Sequence, residues 1–157
     1  MLHFHEFLNQ IFLSFSAFNK TVNIKGTQYE LLLVDTAGQD EYSMFPAEYS
    51  VDVNGYVLVY SIDSVHSFEV CKSIHEKLMD LVGGSVPIIL VGNKTDLHVD
   101  RRVTQAQGKA LAEEMKAVFI ETFTKENQNV IDILVLAVPQ MEGLMDIITI
   151  TNNCTIM

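Results

Sequence analysis

Residues 31–39 read LLLVDTAGQ, and their pattern is the strongest indication of the architecture of this chain. The first half of this stretch, residues 31–34, is an uninterrupted apolar run, which is typical of a strand buried on both faces of a sheet. Its second half begins at Asp35 and contains Gly38, so a polar, glycine-containing loop follows the strand directly. Parallel sheets of this kind bind ligands just outside the carboxyl ends of their strands. The stretch therefore predicts a buried strand and a candidate binding loop together.

Strand-like and helix-like segments alternate along most of the rest of the chain. Strands are predicted at residues 22–24 (with a turn at 25–27), 55–60, 87–91 and 118–120. Helices are predicted at 64–81, at 104–115 with Thr104 as the N-cap, and at 126–138, where Pro139 should end the helix. This alternation predicts an α/β fold with a mostly parallel sheet.

Composition divides the chain into three parts. Residues 1–17 form a divergent N-terminal segment whose apolar side chains recur at spacings of three and four, the pattern of an amphipathic helix. Residues 18–138 are the α/β part. Residues 139–157 are an apolar, irregular tail in which residues 147–150 have strand propensity but no obvious partner. The length of 157 residues suits one domain with a substantial core.

Charge and composition exclude several classes of protein. Twenty acidic residues against ten basic ones give a net charge of −10, which repels phosphate backbones, so no nucleic-acid partner is expected. The longest uncharged stretch, residues 7–19, is shorter than the roughly 20 apolar residues that span a bilayer. The first residues lack the basic n-region of a signal peptide. Two cysteines cannot form a disulfide framework, so a reducing, cytosolic compartment is predicted.

The loop after residues 31–34 suits a phosphate and a divalent cation. Asp35 can hold Mg²⁺ directly or through water, and Gly38 lets a backbone N–H approach a terminal phosphate closely. The side-chain amide of Gln39 both donates and accepts, so it can orient an attacking water molecule. A strand that merely ends in a glycine turn, with Asp35 as a cap, fits these residues equally well.

The loop after residues 87–91 suits a purine base. The Asp96 carboxylate offers two adjacent acceptors, which match the N1–H and 2-amino donors of guanine and nothing on adenine. Asn93 can bridge loop segments or reach the ring edge, and the Lys94 stem can lie flat on the base. The alternative is an ordinary polar surface turn, but the position directly after a buried strand favours base binding.

Two further candidates lie nearer the C-terminus. After residues 118–120, the backbone N–H of Thr124 can meet the guanine oxygen and Lys125 can flank the base, although a solvated turn explains both residues equally well. Residues 154–157, Cys-Thr-Ile-Met, fit the C-a-a-X farnesylation signal at Cys154, with a chance tetrapeptide as the alternative. Cys71 is predicted to be a small buried side chain on a helix.

Five stretches resemble the Ras superfamily of small GTPases, most closely its Rheb branch. They are GQDEYSMFP at 38–46, NGYVLVYS at 54–61, SFEV at 67–70, GKALAE at 108–113 and KENQ at 125–128. The resemblance covers residues 18–128 and the last four residues. It implies a P-loop NTPase-like three-layer sandwich that binds GTP or GDP with Mg²⁺ and acts as a signalling switch.

The resemblance also implies roles for individual residues. Asp35 would lie near Mg²⁺ through water, Gly38 would meet the γ-phosphate, and Gln39 would be the catalytic, water-positioning residue. Guanine would be held by Asn93, Lys94, Asp96, Thr124 and Lys125. The implied partners are the TOR kinase complex and a GTPase-activating protein. The implied location is the cytoplasmic face of endomembranes, through a farnesyl group on Cys154, with part of the protein in the cytosol.

The chain departs from the family pattern at several positions. It contains no G-x-x-x-x-G-K-[ST] phosphate loop, Leu13 stands where the switch I threonine is expected, and Phe123-Thr124 replaces Ser-Ala. Residues 1–17 look like unrelated sequence in place of the first, central strand, so its neighbours are expected to lose ladder partners. Losing four or more charge-assisted hydrogen bonds would remove on the order of 6–12 kcal/mol of binding.

Three hypotheses follow from these observations. The chain is a Rheb-like GTPase; or it is a truncated, non-catalytic pseudo-GTPase that serves as a lipid-anchored protein-binding module; or it is an incomplete chain that does not fold alone. The missing phosphate loop predicts weak or no Mg²⁺-dependent GTP binding. Membrane binding is also predicted to be weak and reversible, because the final twenty residues contain no Lys or Arg to support one lipid chain.

Overall fold

The computed structural model describes residues 15–36, 53–83, 86–122, 133 and 147–152. Its strands are β1 (Phe15–Ile24), β2 (Thr27–Thr36), β3 (Gly55–Ser61), β4 (Ile88–Asn93), β5 (Val118–Glu121) and β6 (Ile147–Asn152). Its helices are α1 (Val65–Val82) and α2 (Gln105–Met115), with a 3₁₀ turn at Thr95–Leu97. The predicted helix at 126–138 and its end at Pro139 lie outside the described residues, apart from the helical Ile133.

All six strands form one sheet in the order β1-β2-β6-β3-β4-β5. β1 and β2 are an antiparallel hairpin, and every other neighbouring pair is parallel. The predicted α/β fold with a mostly parallel sheet is therefore confirmed. The carboxyl ends of β2, β3, β4, β5 and β6 point to the same edge of the sheet, because those strands are parallel.

The tail strand β6 lies at the centre of the sheet. It pairs in parallel with residues 32–36 of β2 on one side and with residues 55–59 of β3 on the other. The strand propensity at residues 147–150 is thus confirmed. The expectation that the strands beside the centre lose their ladder partners is wrong, because β6 supplies the backbone donors and acceptors that β2 and β3 need.

The predicted helix over residues 1–17 is wrong at its C-terminal end. Residues 15–17 begin β1, where Phe15 pairs with Thr36 in a register that continues to Ile24 and Thr27. Hydrogen bonding to β2 along this whole length outweighs a local three-and-four spacing of apolar residues. Residues 1–14 lie outside the described part of the chain. The predicted turn is confirmed, with Lys25 and Gly26 both at positive φ (51° and 88°).

Both helices begin and end on local signals that the sequence contains. The hydroxyl of Ser64 accepts a hydrogen bond from the Ser67 N–H at 3.2 Å, and α1 ends at Gly83 in the left-handed conformation. Thr104 and Gln107 form a reciprocal capping box at the start of α2, which confirms the predicted cap. Neither helix has the length and apolar character needed to cross a membrane, and no other helix in the described residues does.

The strands β3 and β4 are buried on both faces of the sheet. On one face, Tyr56, Leu58 and Tyr60 pack with residues of α1 and α2; Cys71 is part of this cluster, as predicted. On the other face, Val57 and Val59 pack in a second cluster that reaches β1, β2 and β4 and touches Ile133. Alternating side chains of one continuous apolar run therefore serve two separate cores.

Candidate functional site

The turn after β4 is fixed by Asn93, the last residue of that strand. Asn93 is only 7% exposed, and its Oδ1 accepts a hydrogen bond from the Lys94 N–H at 2.7 Å. Its carbonyl accepts a hydrogen bond from the Ile62 N–H at 3.1 Å, which ties the turn to the end of β3. The Asn93 side chain therefore holds the first N–H of the turn, and its backbone carbonyl joins the turn to β3; both predicted roles of the side chain, bridging loop segments and contacting the edge of a base, stay predictions.

The turn then presents Asp96 to solvent. Lys94 adopts a left-handed conformation (φ 64°, ψ 40°), which reverses the chain direction directly after the buried strand. The Leu97 N–H donates to the Lys94 carbonyl at 2.9 Å and closes the 3₁₀ turn that contains Asp96. Asp96 is exposed at the carboxyl edge of the sheet. The carboxylate of Asp96 therefore lies at the surface, on a turn whose backbone is hydrogen-bonded.

The second and third predicted loops are joined through Thr122. Its N–H donates to the Gly92 carbonyl at 2.8 Å, and its carbonyl accepts from the Thr95 N–H at 3.3 Å. Thr122 is buried, and its hydroxyl Oγ1 has no hydrogen-bond partner among the described residues. The structure thus brings the loop after β5 against the Asp96 turn. Thr124 and Lys125 themselves lie outside the described residues.

Asp35 is the second-last residue of β2 and not the first residue of the following loop, because the strand continues past its predicted end at residue 34 to Thr36 and pairs there with β1 and β6. Its Oδ1 is buried and has no hydrogen-bond partner among the described residues, and burial raises the pKa of its carboxyl group. A capping side chain would place this oxygen on a backbone N–H. The N–H groups of residues 37–39, which such a cap would use, lie outside the described residues, so the capping alternative stays a prediction. A carboxylate oxygen at this position can also accept Mg²⁺ or its bound water. Gly38 and Gln39 lie outside the described residues.

Magnesium sites of nucleotide-binding proteins use one or two carboxylates and complete their coordination with water and substrate phosphates. Within the described residues, no group of three or more His, Cys, Asp or Glu side chains is placed to hold a metal. A single carboxylate such as Asp35 suits a cation whose coordination is completed by water and a phosphate ligand.

Asp35 and the Asp96 turn lie far apart on the edge of the sheet. Asp35 is level with Ile150 of β6, which is level with Val57 of β3 and so with Ile89 of β4. Asn93 lies four residues further along β4, or about 13 Å, and three strand spacings of about 4.8 Å separate β2 from β4. Only an elongated ligand can reach both ends of this site, which span on the order of 20 Å.

Sequence patterns missed one ion pair beside the site. Arg101 donates to both carboxylate oxygens of Glu121, at 2.6 and 3.0 Å, and also donates to the Val103 carbonyl at 3.1 Å. Glu121 opens the third predicted loop, but its carboxylate is already engaged. The two residues are twenty positions apart and no local spacing connects them, so nothing in the sequence signals their contact.

Comparison with known proteins identifies the family. The family model for the Ras family matches residues 3–143. The chain is 52% identical over 132 residues to the GTP-binding protein Rheb of Homo sapiens, covering 82% of this chain and 72% of that protein. It is 55% identical over 119 residues to the Rheb homolog of Drosophila melanogaster, covering 75% and 65%. It is 43% identical over 128 residues to rhb1 of Schizosaccharomyces pombe, covering 81% and 69%.

The chain therefore belongs to the Ras family. Within that family it is a Rheb-like small GTPase, as the five quoted stretches predicted. The family match begins at residue 3, ahead of the boundary at residue 18 that composition suggested. The division into residues 1–17, 18–138 and 139–157 stays a prediction.

Proposed function

We propose that this chain is a guanine-nucleotide-binding signalling protein that holds the base of GTP or GDP at the Asp96 turn. The observation that carries the proposal is the hydrogen-bonded turn itself. Asn93 is buried and holds the Lys94 backbone, while Asp96 is presented to solvent on the same turn. In this arrangement Asn93 fixes the backbone of the turn, and the exposed Asp96 is the residue that recognises the base.

Selectivity for guanine follows from the hydrogen-bonding pattern of the base. The two oxygens of the Asp96 carboxylate accept from N1–H and the 2-amino group, and adenine has no such pair of donors. The Lys94 stem covers the base, and Asn93 acts by holding the Lys94 N–H. By family resemblance, the N–H of Thr124 meets the guanine oxygen and Lys125 flanks the ring.

The phosphate end of the ligand is assigned to the loop after β2. Asp35 would hold Mg²⁺ through water, and the cation would neutralise charge on the phosphates. By family resemblance, the N–H of Gly38 meets the terminal phosphate and Gln39 orients the attacking water. The buried, unpartnered Oδ1 of Asp35 supports its part in this assignment.

Binding is expected to be selective but weak. The sequence contains no G-x-x-x-x-G-K-[ST] motif, so the backbone donors and the lysine of that loop are not available to the phosphates. This same observation favours a second candidate function, a non-catalytic, lipid-anchored protein-binding module. The TOR kinase complex, a GTPase-activating protein, farnesylation of Cys154 and an endomembrane location belong to the proposal through family resemblance alone.

Titration with fluorescent GTP, GDP and ATP in the presence of Mg²⁺ tests the proposal. We expect guanine nucleotides to bind more tightly than ATP, with dissociation constants above the micromolar range. A submicromolar value for GTP would contradict the predicted weakness. Equal binding of guanine and adenine nucleotides would overturn the proposed function and leave the protein-binding module.

The substitution Asp96→Asn tests the assignment of the base reader. An amide can donate to the 2-carbonyl of xanthine, so the preference should shift from guanosine to xanthosine nucleotides. Each mismatched hydrogen bond costs about 1–3 kcal/mol, or roughly 5–150-fold in affinity. Asp100→Asn is the matched control, because Asp100 is an exposed carboxylate four residues further along the same loop. An unchanged preference in the Asp96 variant would show that another group recognises the base.

A further inference from the structure

Among the strands that the structure describes, the sheet consists of two halves that pair with each other only through β6. β2 pairs with β1 and β6, and β3 pairs with β4 and β6, so the β1–β2 hairpin and the β3–β4–β5 half share no direct ladder among the described residues. The β6 backbone is opposite residues 32–36 on one edge and residues 55–59 on the other.

The candidate site is divided between these two halves. Asp35 belongs to the hairpin half, and Asn93 and Asp96 belong to the other half. Ile150 of β6 pairs with Asp35 on one side and with Val57 on the other. The backbone at Ile150 therefore sets both the lateral distance and the relative height of Asp35 with respect to the rest of the site.

Side-chain packing alone does not fix this geometry. Val22, Ile24 and Leu31 of the hairpin pack in the same cluster as Val57 and Val59 of β3, so apolar contact also spans the two halves. Apolar packing is non-directional, whereas a ladder allows only registers that differ by whole residues. Without β6, the hairpin would keep apolar contact with the other half but would lose its defined register.

We propose that β6 is the positioning element of the nucleotide site, docking between β2 and β3 and thereby setting Asp35 against the Asp96 turn. This inference depends on the proposed function, because it assigns β6 a role in that same site. A ligand that contacts both Asp35 and Asp96 fits only the docked state. Ligand binding and docking of β6 are then reciprocally coupled, and the apparent affinity scales with the docked fraction.

The substitution Ile150→Pro is expected to shift β6 from the docked to the undocked state. Because β6 is paired on both edges, a proline there removes a ladder N–H and clashes with the neighbouring backbone. Ile150→Val is the matched control, since valine keeps the β-branched side chain and the backbone donor. Both variants are made in the full chain.

Hydrogen exchange gives the first readout. In Ile150→Pro, the amides of residues 32–36 and 55–59 should exchange at least tenfold faster than in the wild type, while those of α2 stay protected. Ile150→Val should match the wild type. Unchanged exchange of both neighbours in the proline variant would overturn the docking of β6.

Nucleotide titration gives the second readout. Affinity for GDP with Mg²⁺ should fall at least tenfold in Ile150→Pro, while the weaker affinity for GDP in EDTA stays close to wild type, because the Asp96 turn lies on the other half. Faster exchange with unchanged Mg²⁺-dependent affinity would overturn the positioning role and leave the proposed function standing. A wild-type chain that binds no guanine nucleotide would overturn both.

The reciprocal experiment needs no variant and decides the matter if Ile150→Pro does not fold. Adding GDP and Mg²⁺ to the wild type should slow exchange of the amides of residues 147–152, whereas GDP with EDTA should slow it less. Binding of GDP and Mg²⁺ without any added protection of these amides would contradict the coupling.

Discussion

The guanidinium of Arg101 donates hydrogen bonds to both carboxylate oxygens of Glu121, at 2.6 and 3.0 Å, and so connects the segment before α2 to the end of β5. Both side chains are largely buried, at 24% and 13% exposure. Arg101→Ala would leave the Glu121 carboxylate without its partner, and we expect a loss of about 1–3 kcal/mol in the free energy of unfolding. Urea denaturation of the wild type and the variant measures this difference in the free energy of unfolding.

Arg102→Ala is the control for this loss, because Arg102 is exposed and adjacent. Its effect should stay within about 0.5 kcal/mol. Arg101→Lys should recover part of the stability, since lysine keeps the charge but lacks the two-pronged geometry. Equal stability of the Arg101 and Arg102 alanine variants would show that the ion pair contributes nothing.

The buried carboxylate of Asp35 should weaken the fold at neutral pH. Burial raises its pKa above the ordinary value of 3.8. Proton binding to this carboxyl group therefore favours the folded chain. That stabilisation is complete at pH values below 3.8 and is lost as the pH rises through the pKa of the folded state. Without nucleotide, Asp35→Asn should be more stable than the wild type at pH 7, and the difference should shrink as pH falls toward 4.

Denaturation at a series of pH values measures the effect of Asp35→Asn. Asp80→Asn, at an exposed position on α1, should show no such gain at pH 7. A wild type that is more stable than the Asp35 variant at pH 7 would mean that the carboxylate has a favourable partner in the folded chain.

Gly108 is required by close packing beneath α2. A Cβ at this position would lie 2.5 Å from both the Tyr60 hydroxyl oxygen and Cε2 of Phe119. Gly108→Ala should therefore destabilise the fold by about 1–3 kcal/mol, although alanine favours helices. Lys109→Ala, at the exposed neighbouring position, is the control and should change little. Thermal unfolding compares them, and a stabilised Gly108 variant would show that the helix shifts freely.

Farnesylation is expected at Cys154 and not at Cys71. Burial raises the pKa of the Cys71 thiol to about 12, so this cysteine is both inaccessible and un-ionised at neutral pH. Intact mass from prenylating cells should show one farnesyl group in the wild type and in Cys71→Ser, and none in Cys154→Ser. An unmodified wild-type mass would contradict the prediction. Because no basic residue supports the lipid, vesicle binding should be reversible.

Local patterns predicted the strands and helices whose signals are contained in a few neighbouring residues. Continuous apolar runs marked β2, β3, β4 and β5, and the predicted cap Thr104 and the predicted helix start at Ser64 match the starts of α2 and α1. β6 was different. Its strand propensity was visible, but its partners lie 115 and 93 positions earlier in the chain, at Leu32 and Gly55. No local sequence pattern indicates the pairing of β6 with such distant strands.

For the candidate site, too, the sequence predicted the local features and missed the long-range ones. The Asp96 turn follows β4 as expected, because position after a buried strand is a local property. The Asn93 side chain accepts from the N–H of the neighbouring Lys94, and its two predicted roles stay predictions. The stagger between Asp35 and Asn93 was not foreseen, since it depends on strand registers that only the assembled sheet defines. The Arg101–Glu121 pair was missed for the same reason.

The central position of a late-synthesised strand also dictates when the fold can be completed. Ile147–Asn152 leaves the ribosome after every other described element, so the nascent hairpin and the nascent β3–β5 unit wait with unpaired inner edges until it emerges. Contacts between such distant parts of a chain form slowly, and exposed strand edges invite pairing with other chains in the meantime. During synthesis, this protein is most vulnerable to aggregation along the line that its last strand will occupy.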